Sequence, residues 1–215
     1  MTEAKVPGYN RHMPDLDQGT ILVIFLRVTV PLTILRYPLG GFIISLALDG
    51  LHMPIVYLTN DLLKVPEDSL VARQYYHLTD KWLDVYFLAL AAIVSRKWGT
   101  REFRATSFSL LFLRTVGVII FYITGNRMML FLFPNVYEYF YLYSAAVRKW
   151  APRLFPNTFG KLVIVVSIAS ASKLVGEYFQ HVRELQVGEI ITLLTPFELP
   201  RPTLWESVLS LFEKR

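Results

Sequence analysis

The sequence predicts an all-α fold, a polytopic membrane helix bundle of five to six membrane segments followed by an amphipathic C-terminal helix. Two observations predict it. The 215 residues are 53% hydrophobic and only 18% charged, and the apolar residues come in blocks of roughly membrane-spanning length instead of the spaced stripes of a water-soluble helix. Several acids and bases also sit inside those blocks, where hydrocarbon makes them costly and therefore informative. A chain this short has no room for several spans plus a sizeable soluble domain, so residues 1–215 are expected to form one integral membrane domain with its site built from the spans and their short loops.

Along the chain, residues 21–35 form a short apolar stretch containing Arg27 and Pro31, read as either a tilted first span or an interfacial helix. Pro38 opens the next segment, 38–58, which contains Asp49 and His52. Pro66, Glu67 and Asp68 supply a proline and two acids suited to a helix N-terminus, predicting a helix that runs to Lys97 with Gly99 as its stop and with 75–95 in the membrane. Segment 105–124 ends at Gly125-Asn126-Arg127, a tight reversal into 128–147, where Pro134 predicts a kink. Residues 148–160 read as a loop. Segment 162–181 carries Ser167, Ala169, Ser170, Ala171 and Ser172, a small-residue face for close packing. Residues 190–199 are too short to span. Thr203 and Glu206 have capping-box spacing ahead of an apolar face of Trp205, Val208, Leu209 and Phe212, which predicts a surface-lying tail.

Charge and composition exclude several function classes. Cysteine is absent, which removes disulfides, thiolate metal sites and a cysteine nucleophile. The first twenty residues lack the basic-then-apolar pattern of a cleaved signal peptide. The net charge of +5 comes from bases at the ends of apolar segments, which points to membrane topology and not to nucleic acid. Arg96, Lys97, Arg101 and Arg104 crowd one connection, and Arg148, Lys149, Arg153 and Lys161 crowd another two spans later. Both are therefore expected on the cytoplasmic side, with residues 59–74 and the turn at Asn126 opposite. Membrane lipids are the expected partners, in a homo-oligomer or a larger membrane complex.

On that topology the polar residues converge on the extracytoplasmic half. Arg73, His77, Asp80 and Asp84 recur at helical spacing on one face, as do Lys173, Glu177 and His181 on another. Asp80, Asp84, Glu177, His181 and Lys173 are the candidate catalytic residues. Arg127, Asn135, Glu138 and Arg114 are the candidate substrate-binding residues. Asp49, His52, His77, Asp80 and Asp84 are candidate ligands for a divalent metal, the one cofactor suggested, with carboxylates favouring Mg²⁺ or Mn²⁺ and histidines zinc. Glu138 lies among Tyr137, Tyr139, Phe140, Tyr141 and Tyr143, rings that more often pack than bind.

Asp49-x-x-His52 followed by Asp80-x-x-x-Asp84 distantly resembles the paired-aspartate metal motifs of the CDP-alcohol phosphotransferase family. The resemblance covers two short motifs. His52 stands where that family has an aspartate, the Ala-Arg step and glycine are missing, and the spacing to Asp80 is longer, so no activity follows from it. The sequence supports a polar intramembrane site, open to the extracytoplasmic side, that binds or modifies a lipid or lipid-linked substrate, with a metal-dependent membrane-embedded transferase or hydrolase as its enzymatic form. An ion- or proton-coupled transporter and an accessory subunit use the same residues differently. A purely structural polar network explains any one of them, and less readily some ten at similar depth.

Overall fold

The computed structural model describes residues 18–62, 73–126 and 128–177, and every regular element among them is helical. They are α1 Gln18–Thr29, a 3-10 segment Val30–Leu35, α2 Pro38–Leu62, α3 Arg73–Ser95, α4 Arg101–Thr124, α5 Met128–Leu132, α6 Val136–Trp150, a 3-10 turn Pro152–Leu154 and α7 Phe159–Glu177. The predicted start at Pro66, the segment 190–199 and the amphipathic tail lie outside the described residues.

Local chemistry sets the boundaries. Pro31 lacks the N–H that an α-helix needs, and the chain passes there from α-helix into the tighter 3-10 form. Thr100 caps α4 by accepting from the Phe103 N–H at 3.4 Å, so this helix begins four residues earlier than the apolar pattern suggests. Gly125, with φ 66°, closes α4 in the left-handed conformation. At Pro134 the expected kink is a full break that divides 128–147 into α5 and α6.

Among the described residues, two helical stretches, Gln18–Leu35 and Arg101–Thr124, are long and apolar enough to cross a membrane. The first is the stretch that looked short in the sequence. It reaches spanning length because helix begins upstream of Ile21 and the 3-10 segment, at about 2.0 Å rise per residue, extends it. α3 carries Asp80, Lys81 and Asp84 within its length, and α6 is shortened by the break.

The outside of these helices is apolar and the inside is partly polar. α1 and the 3-10 segment after it expose Ile21, Phe25, Val28 and Leu32 while burying Thr20 and Arg27, and α4 exposes Phe108, Phe112, Ile119 and Ile123 while burying Ser107 and Arg114. A water-soluble protein distributes these types the other way round. The small-residue stretch of α7 departs from expectation: Ala169 is buried, whereas Ser167, Ala171 and Ser172 face outward.

α1 and the 3-10 segment pack on α2 and α3, α3 on α4, α4 on α5 and α6, and α6 on α7. The main core is aromatic. Phe42 meets Tyr141 at 4.5 Å between ring centroids and Phe87 at 5.5 Å, Tyr141 stacks on Trp98 at 5.3 Å, and Phe103 stacks on Phe140 at 5.4 Å. Phe103 also meets Phe155 at 4.8 Å, and the Arg148 guanidinium lies 4.8 Å over the Trp98 ring. These contacts bring the two basic connections to the same end of the molecule.

Candidate functional site

Periodicity places the site residues. On α1, Thr20, Val23 and Arg27 recur at three and four residues and are all buried. On α2, Phe42, Ser45, Asp49, His52 and Val56 follow the same spacing, and on α3 Asp80, Asp84, Phe87, Ala91 and Ser95 do so. The three stripes face one another, and Arg27 lies where their polar parts meet.

The Arg27 guanidinium ties three carboxylates together. Its Nη1 donates to Asp80 Oδ1, and its Nη2 donates to Asp49 Oδ1 at 2.5 Å and Asp84 Oδ1 at 2.7 Å. The second oxygens of the α3 acids turn toward other bases: Lys81 Nζ is 2.8 Å from Asp80 Oδ2 and 3.6 Å from Asp84 Oδ2, and Arg114 Nη2 is 3.8 Å from Asp84 Oδ2. Three acids from α2 and α3 thus meet three bases from α1, α3 and α4, a formally neutral network. A planar, permanently charged fork suits such a hub better than an ammonium would. Removing one member leaves a buried charge without its partner.

A second, smaller network lies on α6 and α7. Lys173 Nζ is 3.2 Å from Glu138 Oε2, and Asn135 Nδ2 donates to the same oxygen at 2.8 Å. The Lys173 ammonium also sits 5.2 Å from the Tyr139 ring centre. Arg114 and Asp84 lie within electrostatic reach of Glu138, so the two networks are neighbours.

The sequence-predicted residues sort as follows. Asp49, Asp80, Asp84 and Arg114 come together in the first network, and Asn135, Glu138 and Lys173 in the second. His52 sits beside the first with its Nδ1 against the Asp49 carbonyl oxygen. His77 lies on α3 and Glu177 ends α7, but their side chains are outside the described residues, as are His181 and Arg127 altogether. Sequence reasoning gave no role to Arg27 and Lys81. Arg27 had a signal, an ionisable group in the middle of an apolar stretch. Lys81 had the same signal inside 75–95, and it stands three residues before Asp84, a spacing that makes neighbours on a helix.

One ligand atom from each of Asp49, His52 and Asp80 falls within 4.8 Å of the others, a grouping compatible with a metal ion by distance. The donor chemistry fits poorly. Asp49 Oδ1 and Asp80 Oδ1 already accept from Arg27, and a divalent ion there would lie against the guanidinium.

No protein-family model, no curated protein and no solved structure matches the chain, so the two short aspartate motifs stand without a family behind them.

Proposed function

We propose that the chain is a multi-pass integral membrane protein of five to six membrane segments that binds a lipid or lipid-linked substrate at the Arg27 network. The observation that carries this reading is the graded exposure of the network. Arg27 is 3% exposed and Asp80 and Asp84 are buried, whereas the Asp49 side chain is 29% and that of Lys81 24% exposed. With His52 half-buried beside them, these residues form a polar rim on an otherwise apolar exterior. A headgroup whose tails lie along that exterior reaches the rim sideways without entering water.

Within this reading Lys81 is the counter-charge for a headgroup phosphate, and Asp49 and His52 accept from or donate to its hydroxyls. Asp80 and Asp84 hold Arg27 and Lys81 in place, which makes them positioning residues. The two basic connections are cytoplasmic and the rim lies in the extracytoplasmic half.

Native mass spectrometry of the protein released from membranes under mild conditions tests the reading. The wild type is expected to carry lipid that Lys81→Met and Asp49→Asn lose while keeping their helical content. Identical lipid in all three, or none in any, sinks it. Co-purifying proteins without lipid would instead support the accessory-subunit alternative. A second reading, ion- or proton-coupled transport, is favoured by the Glu138–Lys173 pair behind the rim network, beside the broken helix, since unwound backbone at such breaks frees carbonyls. Ion flux in proteoliposomes that Glu138→Gln abolishes would establish it, and the absence of flux in wild type would remove it.

A further inference from the structure

We propose that an ordered water binds at the helix break, between Arg114 Nε and Asn135 Oδ1, and joins the two charge networks into one hydrogen-bonded unit. α4 lies directly against the break, because a Cβ at Gly117 would collide with the Phe133 side chain. One turn earlier on the same helix, Arg114 reaches across and donates from Nη1 to the Phe133 carbonyl at 3.4 Å. With Pro134 interrupting the helix, that carbonyl is served by the arginine.

Each network then has one atom left over at this place. Arg114 is 3% exposed, spends Nη1 on Phe133 and Nη2 on Asp84, and leaves its Nε–H with no partner. Asn135, also 3% exposed, spends Nδ2 on Glu138 and leaves Oδ1 with no partner. A buried polar atom without a hydrogen bond destabilises the fold, so two near one break call for a ligand.

The chemistry of the pair selects that ligand. The orphans are one donor and one acceptor. An anion would satisfy Nε–H but face Asn135 Oδ1 and the Glu138 carboxylate, and a cation would satisfy Oδ1 but face Arg114. Water accepts from the first and donates to the second, and the free lone pair of the Phe133 carbonyl offers it a third bond. The resulting route runs from the rim at Asp49 and Lys81 through Arg27, Asp84 and Arg114, across the water, to Asn135, Glu138 and Lys173. It draws on every long helix from α1 to α7.

Water-edited solid-state NMR on protein labelled with ¹⁵N-arginine in lipid bilayers tests this without reference to what the rim binds. The Arg114 Nε–H resonance is assigned by its loss in Arg114→Lys or, if that variant does not fold, by its contact with a ¹³C-labelled Phe133 carbonyl. The expected result is transfer from water to Arg114 Nε–H comparable to that of surface arginines, falling several-fold in Asn135→Leu. No transfer in the wild type means a dry break and overturns the proposal. Strong transfer that persists unchanged in Asn135→Leu overturns it too, because Asn135 would then not hold the water. Since the wild-type measurement needs no variant to fold, the proposal stays falsifiable in either case.

Discussion

α2 and α3 each carry one buried stripe, and the two ends of that stripe are built differently. Toward one end, Phe42, Phe87 and Ala91 join Tyr141, Phe140, Trp98 and Phe103 in a core of tilted and stacked rings. Toward the other, Asp49, Asp80 and Asp84 converge on Arg27. Dispersion between rings is the sum of many small contacts, so it tolerates a change of shape that conserves volume. An ion network in low dielectric depends on which atoms are present, because each removal leaves an opposite charge buried and unmatched. The aromatic end is therefore expected to be robust to substitution and the charged end brittle.

The largest effect is expected from Arg27→Met, which removes the one group among the described residues that contacts all three carboxylates. A loss of about 3–5 kcal/mol is expected, read as a collapse of the unfolding midpoint in detergent or bicelles. Arg27→Lys should recover only part of it, since an ammonium lacks the fork. A variant with wild-type stability would show the network to be dispensable and erase the contrast between the two ends.

Phe140→Ala comes next. It opens a void among Phe103, Tyr137 and Tyr141 and should lose roughly 3 kcal/mol by the same measurement. The sharper comparison is with Phe140→Met, expected to stay within about 1.5 kcal/mol of wild type. If the methionine variant is as unstable as Arg27→Lys, the aromatic end is as exacting as the charged one.

A double-mutant cycle on Glu138 and Lys173 should give a coupling of about 1 kcal/mol, the scale of polar contacts between membrane helices. The pair bridges α6 and α7, whereas Arg27 ties α1 to both α2 and α3, so the pair's coupling should fall well below that between Arg27 and Asp84. Equal couplings would mean that the hub geometry of Arg27 adds nothing.

The smallest effect belongs to Glu102, fully exposed in the first turn of α4. Its carboxyl is held below the ordinary glutamate range by its own backbone N–H and by the Thr100 side chain. A depressed carboxyl stabilises the fold above its unfolded pKa and loses that contribution as pH falls through the lower, folded value. Glu102→Gln should thus lower the melting temperature slightly at neutral pH and not at all in strong acid. A difference of the same size at both ends would show that charge at Glu102 is irrelevant.

The positions of Asp49, Asp80, Asp84, Glu138 and Lys173 inside apolar stretches could be read from the chain, because a buried charge is conspicuous wherever helices are apolar. Which charges meet could not. Helical spacing put Lys173 on a face with Glu177 and His181, yet its described ion pair crosses to Glu138 on α6. Arg27 lies within a short apolar stretch that the sequence leaves open as a tilted first span or an interfacial helix, because nothing local shows that helix begins early enough to carry it into the interior. Helical spacing already pairs Lys81 with Asp84, three residues on, whereas its closer contact with Asp80 is decided by the rotamer.

What the sequence by itself determined was the helical class, the apolar stretches and the presence of costly charges within them, all of which follow from composition and period along one chain. What only the tertiary structure decided was the partition of those charges into two networks, with Arg27 as the hub of one and the Pro134 break beside the other. The physical reason is that electrostatic and hydrogen-bond partners are fixed at distances of a few ångströms between helices far apart in sequence. A one-dimensional pattern records which face a residue occupies, and not which face lies opposite.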